Sequence, residues 1–77
     1  MDKDEVRKYI NSIISTKLKV KFENNYNIVR DEYEKWDSLI QIELIFQIEE
    51  YYEVHLSESE IEMMNSTFEI ADILMNK

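Results

Sequence analysis

The stretch Trp36-Asp37-Ser38-Leu39 holds the side chain of this sequence best placed to carry chemistry. A serine hydroxyl esterified to phosphate needs exposure at a chain bend and surroundings that tolerate added negative charge. The first turn of a helix supplies both, because its free amides and macrodipole attract anions. Asp37 can cap such a helix with its own carboxylate and leave the Ser38 hydroxyl free to project outward. The same residues also have an ordinary reading. Ser38-Leu39-Ile40-Gln41 fits a capping box, and serine at a helix start is commonly just a cap. Position and spacing alone leave both open.

Other reactive residue types are scarce. Cysteine and glycine are absent, which removes disulfides, thiolate metal clusters and phosphate-cradling glycine loops. The lone His55 has no second imidazole to share a metal with and reads as a surface or turn residue. Glu49, Glu50 and Glu53 could suggest paired catalytic carboxylates, but no cleft-forming partner stands near them in sequence. A solvated acidic face is the simpler account.

The chain has 77 residues, enough for a single domain spanning 1–77. Domains of this size bury only roughly 60% of their unfolded surface, so a net stability of about 3–5 kcal/mol is expected. The formal net charge is −8, and its distribution is uneven. Residues 1–30 carry seven bases against four acids, a net of +3. Residues 31–77 carry 13 acids against Lys35 and Lys77, a net of −11. Such a surface repels phosphate backbones and anionic membranes and suits partners with basic patches. No apolar run approaches the roughly 18 residues of a membrane span, and Met-Asp-Lys-Asp is not a signal peptide. A cytoplasmic, monomeric protein is the expectation.

The elements that must position Ser38 follow from periodicity. Val6, Ile10, Ile13, Ile14 and Leu18 share one face of a helix over Asp2 to Leu18, with Asp2 and Asp4 at its positive pole and Lys17 and Lys19 at the other. Glu23 to Trp36 has no clear period and holds Asn24, Asn25 and Asn27, which tolerate turns; it reads as a long connection. A second helix runs from about Asp37 to Tyr52. Only the arc of Glu43, Gln47 and Glu50 is consistently polar, so this helix is more apolar than one core-facing stripe requires. Part of its surface therefore lies central in a bundle or awaits a partner. Adjacent Tyr51 and Tyr52 point about 100° apart, which suits one buried ring and one partly exposed. Ser57-Glu58-Ser59-Glu60 and Ser66-Thr67-Phe68-Glu69 each fit a capping box. The first opens a short helix with Ile61, Met63 and Met64, and the second a last helix with Ile70, Ile73 and Leu74 inward. The predicted fold is all-α: a four-helix bundle of three longer helices and one short one.

Around Ser38 the spacing extends into a longer pattern. Asp37-Ser38-Leu39, Glu43-Leu44, Glu49-Glu50, the aromatic Tyr52, and the alternating apolar Val54 and Leu56 resemble the signature of the acyl carrier protein family. The resemblance continues through Glu58, Glu60, Ile61, Ser66 and Ile70 and covers about half the chain, Trp36 to Leu74. The first helix and its loop match in length and pattern only. Glu34-Lys35-Trp36 replaces the family's frequent Leu-Gly, and Ile40 stands where fatty-acid carriers usually have an acid. The Trp-Asp-Ser-Leu form is similar to stand-alone carriers of specialised pathways, such as glycan modification or secondary metabolism.

The resemblance implies a carrier without catalytic activity of its own. A phosphopantetheinyl transferase would move 4′-phosphopantetheine from coenzyme A to Ser38, between Asp37 and Leu39. The thiol of that arm would hold an acyl group as a thioester for delivery to an acyl-loading ligase or acyltransferase and to other acyl-using enzymes. Leu39, Ile42 and Phe46 would form the apolar part of the docking face, flanked by Glu43, Glu49 and Glu50. Core packing is the ordinary alternative for these three apolar residues, above all Ile42, whereas Phe46 beside the acidic arc suits exposure. The rival functions are an aminoacyl, aryl or D-alanyl carrier and an unmodified helical interaction module. Crowding of 13 acids into residues 31–77 predicts instability at low ionic strength, so the melting temperature should rise with added salt. A salt-independent melting temperature would contradict this.

Overall fold

The computed structural model describes residues 2–77, and these form an all-α domain. Its helices are α1 (Lys3–Leu18), α2 (Ser38–Tyr52), α3 (Glu58–Glu62) and α4 (Thr67–Met75), with a 3-10 turn at Arg30–Glu32. No strand occurs among the described residues, and no helix is long and apolar enough to cross a membrane. One core joins the elements. Val6, Ile10, Ile13, Ile14 and Leu18 of α1 meet Leu44, Ile45 and Ile48 of α2 and Ile70, Ala71 and Leu74 of α4. Of the inward set expected on α4, Ile73 is only partly buried.

Local signals explain where the helices begin. The Asp2 carboxylate accepts from the Asp4 amide, and the Asp37 carboxylate accepts from the Ile40 amide, each at 3.0 Å. Asp37 is thus the cap of α2, with extended backbone, and Ser38 is the first helical residue. The capping box of Ser38 and Gln41 does not form, because the Gln41 side chain is buried and bonded elsewhere. Ser57 and Glu60 complete their box at α3. At α4 only half the expected box forms: Ser66 Oγ accepts from the Glu69 amide at 3.2 Å, but α4 shows no reciprocal bond from the Glu69 carboxylate.

The long connection is stitched rather than loose. Ile28 is fully buried. The Ile28 amide donates to Thr67 Oγ1 at 3.2 Å, and the Thr67 amide donates to the Ile28 carbonyl at 3.0 Å. Asn27 Oδ1 accepts from the Phe68 amide, which caps α4 from a distance. On the other side, Asn11 Nδ2 donates to the carbonyls of Glu23 and Tyr26. An isolated antiparallel bridge pairs Val29 with Ser66. These bonds give the connection's backbone groups partners that no helical ladder supplies.

At the far end of α2 the tyrosines differ from expectation. Tyr51 is 60% exposed and Tyr52 only partly covered, so neither ring is fully buried. Both lean on Tyr9, with ring centroids 3.9 and 5.7 Å away respectively. Adjacent residues on one helix reach the same α1 ring from two sides, and the small bundle has no third layer to cover them. Partial burial, then the neighbouring Tyr51, Tyr9 and Glu5, push the Tyr52 hydroxyl up to about 12. The neutral phenol is the favoured form in the fold, so its contribution holds below the ordinary tyrosine range near 10 and fades as pH climbs toward 12.

With no glycine available, two other residues end the longer helices in left-handed backbone. Lys19 closes α1 at φ 58° and Glu53 closes α2 at φ 54°. A side chain in that conformation costs roughly 1–2 kcal/mol, which glycine avoids at some loss to unfolded-state entropy. Lys19→Gly and Glu53→Gly should therefore each stabilise the protein by about 0.5–1 kcal/mol in urea unfolding. If both variants leave the urea midpoint unmoved, neither left-handed cap is strained.

Candidate functional site

The start of α2 is built on a buried anchor. Trp36 is 2% exposed, and the chain turns outward immediately after it. The Trp36 carbonyl accepts from Arg30 Nε at 3.1 Å, tying this point to the 3-10 turn. Asp37 then takes the capping bond, so Ser38 is not needed for it. The Ser38 side chain is exposed and makes no hydrogen bond among the described residues. A free hydroxyl at the amide end of a 15-residue helix faces the positive pole of the macrodipole. No other acid occupies that first turn. An added phosphate ester would meet attraction there.

Three of the large apolar side chains left uncovered on α2 run from the serine to the middle of the helix, with Tyr51 at its far end. Leu39 is 64% exposed, Ile42 49% and Phe46 66%. Their spacing of three and four puts them on one side of the helix, roughly opposite Gln41, Leu44, Ile45 and Ile48, which are buried. Ile42, for which core packing was the alternative, lies on the open side. Glu43 and Glu50 are exposed next to this stripe. Glu43 also faces Lys17 of α1 across 3.5 Å.

Glu49 has a different setting from its neighbours. One of its carboxylate oxygens accepts from the Leu56 amide at 2.9 Å and lies 3.7 Å from His55 Nδ1. Its side chain is 25% exposed and closes the turn after α2. His55 itself is exposed, and its carbonyl accepts from Lys77 Nζ. Lys77 also bonds Glu60 Oε1 at 2.6 Å, and this bond, with the Ser57 amide, holds the Glu60 carboxyl below its ordinary range. No group of three or more potential metal ligands is gathered among the described residues.

A cleft of about 220 Å³ opens between α1 and α2, lined by Tyr9, Ser12, Ile13, Thr16, Lys17 and Gln47. Ser38, Leu39, Ile42 and Phe46 are not part of its wall. The stripe beside Ser38 is a surface.

One residue at the site, and one away from it, escaped the sequence reading. Gln41 is 5% exposed, and its side chain joins the Trp36 indole to the Met64 carbonyl. The signal was present: Gln41 precedes Leu44, Ile45 and Ile48 by three, four and seven positions, which places it on the core face. Met63, 60% exposed at the end of α3, is a further uncovered apolar side chain, and it lies beside Glu69, Asp72 and Ile73 of α4.

Exposure separates this stripe from the core energetically. Leu39→Ala and Phe46→Ala should change stability by no more than about 0.5 kcal/mol, as surface substitutions do. Ile48→Val, a smaller change in a fully buried residue, should cost about 0.5–1.5 kcal/mol. Chemical denaturation of the three variants checks this, and equal losses would place the stripe in the core. Compared with known proteins, the chain matches no family model, no curated protein and no solved structure.

Proposed function

We propose that the protein is a discrete acyl carrier, with 4′-phosphopantetheine attached to Ser38. One observation carries this reading: an unbonded, exposed serine hydroxyl at the first position of α2, beside three uncovered apolar side chains. The residues there fit the group. The Ser38 oxygen gives up its proton and forms a bond to the phosphoryl group of coenzyme A, whose nucleotide half leaves. The phosphopantetheinyl transferase supplies the base. The free amides of the first turn would favour the diester's negative charge, and Asp37 keeps that turn capped without occupying Ser38.

When bound, the arm supplies a thiol that holds an acyl group as a thioester. Everything else falls to the chain's own surface. Leu39, Ile42 and Phe46 offer apolar contact to an acyl-loading ligase, an acyltransferase or another acyl-using enzyme. Glu43 and Glu50 at the rim attract basic patches and mainly set association rate and salt sensitivity. Tethering raises the local concentration of cargo at the partner's site. Glu49 contributes less to this rim than its sequence position suggests, because its carboxylate is engaged by Leu56. The pathway is a specialised one, glycan modification or secondary metabolism, or else fatty-acid synthesis; an aminoacyl, aryl or D-alanyl cargo would use the same mount.

The uncovered stripe also supports a second reading, an unmodified helical module that docks through α2 alone. Mass spectrometry separates the two. Incubated with coenzyme A and a broad-specificity transferase, the wild-type protein should gain the mass of the arm on Ser38, and Ser38→Ala should gain none. An unmodified wild-type chain, under conditions where a control carrier is fully loaded, overturns the carrier reading and leaves the interaction module.

A further inference from the structure

We propose that Gln41 is a positioning residue, whose clasp between the Trp36 indole and the Met64 carbonyl holds the first turn of α2 and with it the Ser38 hydroxyl. As regards Ser38 this inference rests on the carrier reading; as regards the first turn it stands alone. Trp36 Nε1 donates to Gln41 Oε1 at 2.6 Å, and Gln41 Nε2 donates to the Met64 carbonyl at 3.0 Å. All three residues are buried, at 2%, 5% and 0% exposure. In such surroundings a hydrogen bond is electrostatically stronger than in water, and losing it strands polar groups away from solvent.

The clasp lies where the chain most needs one. Trp36 and Gln41 bracket Asp37, Ser38, Leu39 and Ile40, the first three exposed and the fourth only half-buried. That segment has little burial of its own to hold it, and a helix start is prone to fraying because its first amides lack helical partners. Besides the helical bonds of α2, the Ile40 amide donates to Asp37 Oδ1 and the Gln41 amide donates to the Asp37 carbonyl. The Gln41 side chain closes the same segment from its buried side. Because Met64 follows the end of α3, the clasp also fixes α3 against the turn that bears Ser38. A hydroxyl that another enzyme must reach in one geometry needs such support beneath it.

Trp36 is the sole tryptophan, so its fluorescence reports on the clasp directly. Gln41→Met keeps the side-chain length and removes both bonds; Trp36→Phe keeps an aromatic ring and removes the indole donor. Under native conditions each variant should show amide exchange at Ile40 and Gln41 faster by about tenfold or more, with Ile48 little changed, and the double variant should add little to either alone. Gln41→Met should shift the Trp36 emission. Transferase kcat/KM at Ser38 should fall several-fold at temperatures where the variants remain folded. Exchange that rises uniformly along α2, or does not rise, overturns the clasp. A local rise with unaltered kcat/KM overturns its role in presenting Ser38. If the wild-type chain is not modified at all, the carrier reading fails and the role of Gln41 at Ser38 falls with it, while the exchange pattern still decides whether the clasp holds the turn.

Discussion

An α-helix turns about 100° per residue, so α2 cannot bury all of its apolar side chains against one core. Leu44, Ile45 and Ile48 pack inward with Gln41, and the same rotation carries Leu39, Ile42 and Phe46 to the other side. With α1, α3 and α4 as the only helical neighbours, nothing remains in the described chain to cover them. The exposed stripe is the geometric consequence of a helix more apolar than its bundle can absorb. Ser38 is exposed for a different reason: rotation alone would align it with buried Ile45, seven positions on, but as the first residue of α2 it stands beyond the part of the helix that the core covers.

The polar interior answers a second need. A long first connection brings many backbone amides and carbonyls near the core, and each needs a partner. Asn11 and Thr67 supply partners for the connection, and Asn27, Gln41 and Ser66 do the same for the Phe68 amide, the Met64 carbonyl and the Glu69 amide. Their bonds join the loop to α1, to α2 and to the junction of α3 and α4. A domain without disulfides, with a small core, is thereby tied at several points along its least regular segment.

The acids divide by setting. Glu49 accepts from the Leu56 amide and closes the turn after α2, while Glu60 accepts from the Ser57 amide in the α3 capping box and from Lys77 at the far end of the chain. Glu43 and Glu50 stay exposed beside the apolar stripe. A string of similar carboxylates in sequence thus separates into structural and surface groups according to which backbone amides fold against them, since Glu43 stays on the surface even with Lys17 3.5 Å away.

Much was legible from the residues alone. The helices, the Asp37 cap, the burial of α1 and the exposure of Phe46 all follow from period and local chemistry, which act within a few positions. Tertiary structure decided the rest. Whether Ile42 lies in the core depends on how many neighbours surround α2, and the fate of Gln41 depends on Trp36 and Met64 meeting it from separate segments. Tyr51 and Tyr52 lie where they do because Tyr9 is the ring they find. The Ser66 box stays half-formed while Asn27, 41 residues away from Phe68, supplies another of the α4 caps. Those outcomes rest on contacts between distant parts of the chain, and a helical period carries no information about which distant part arrives.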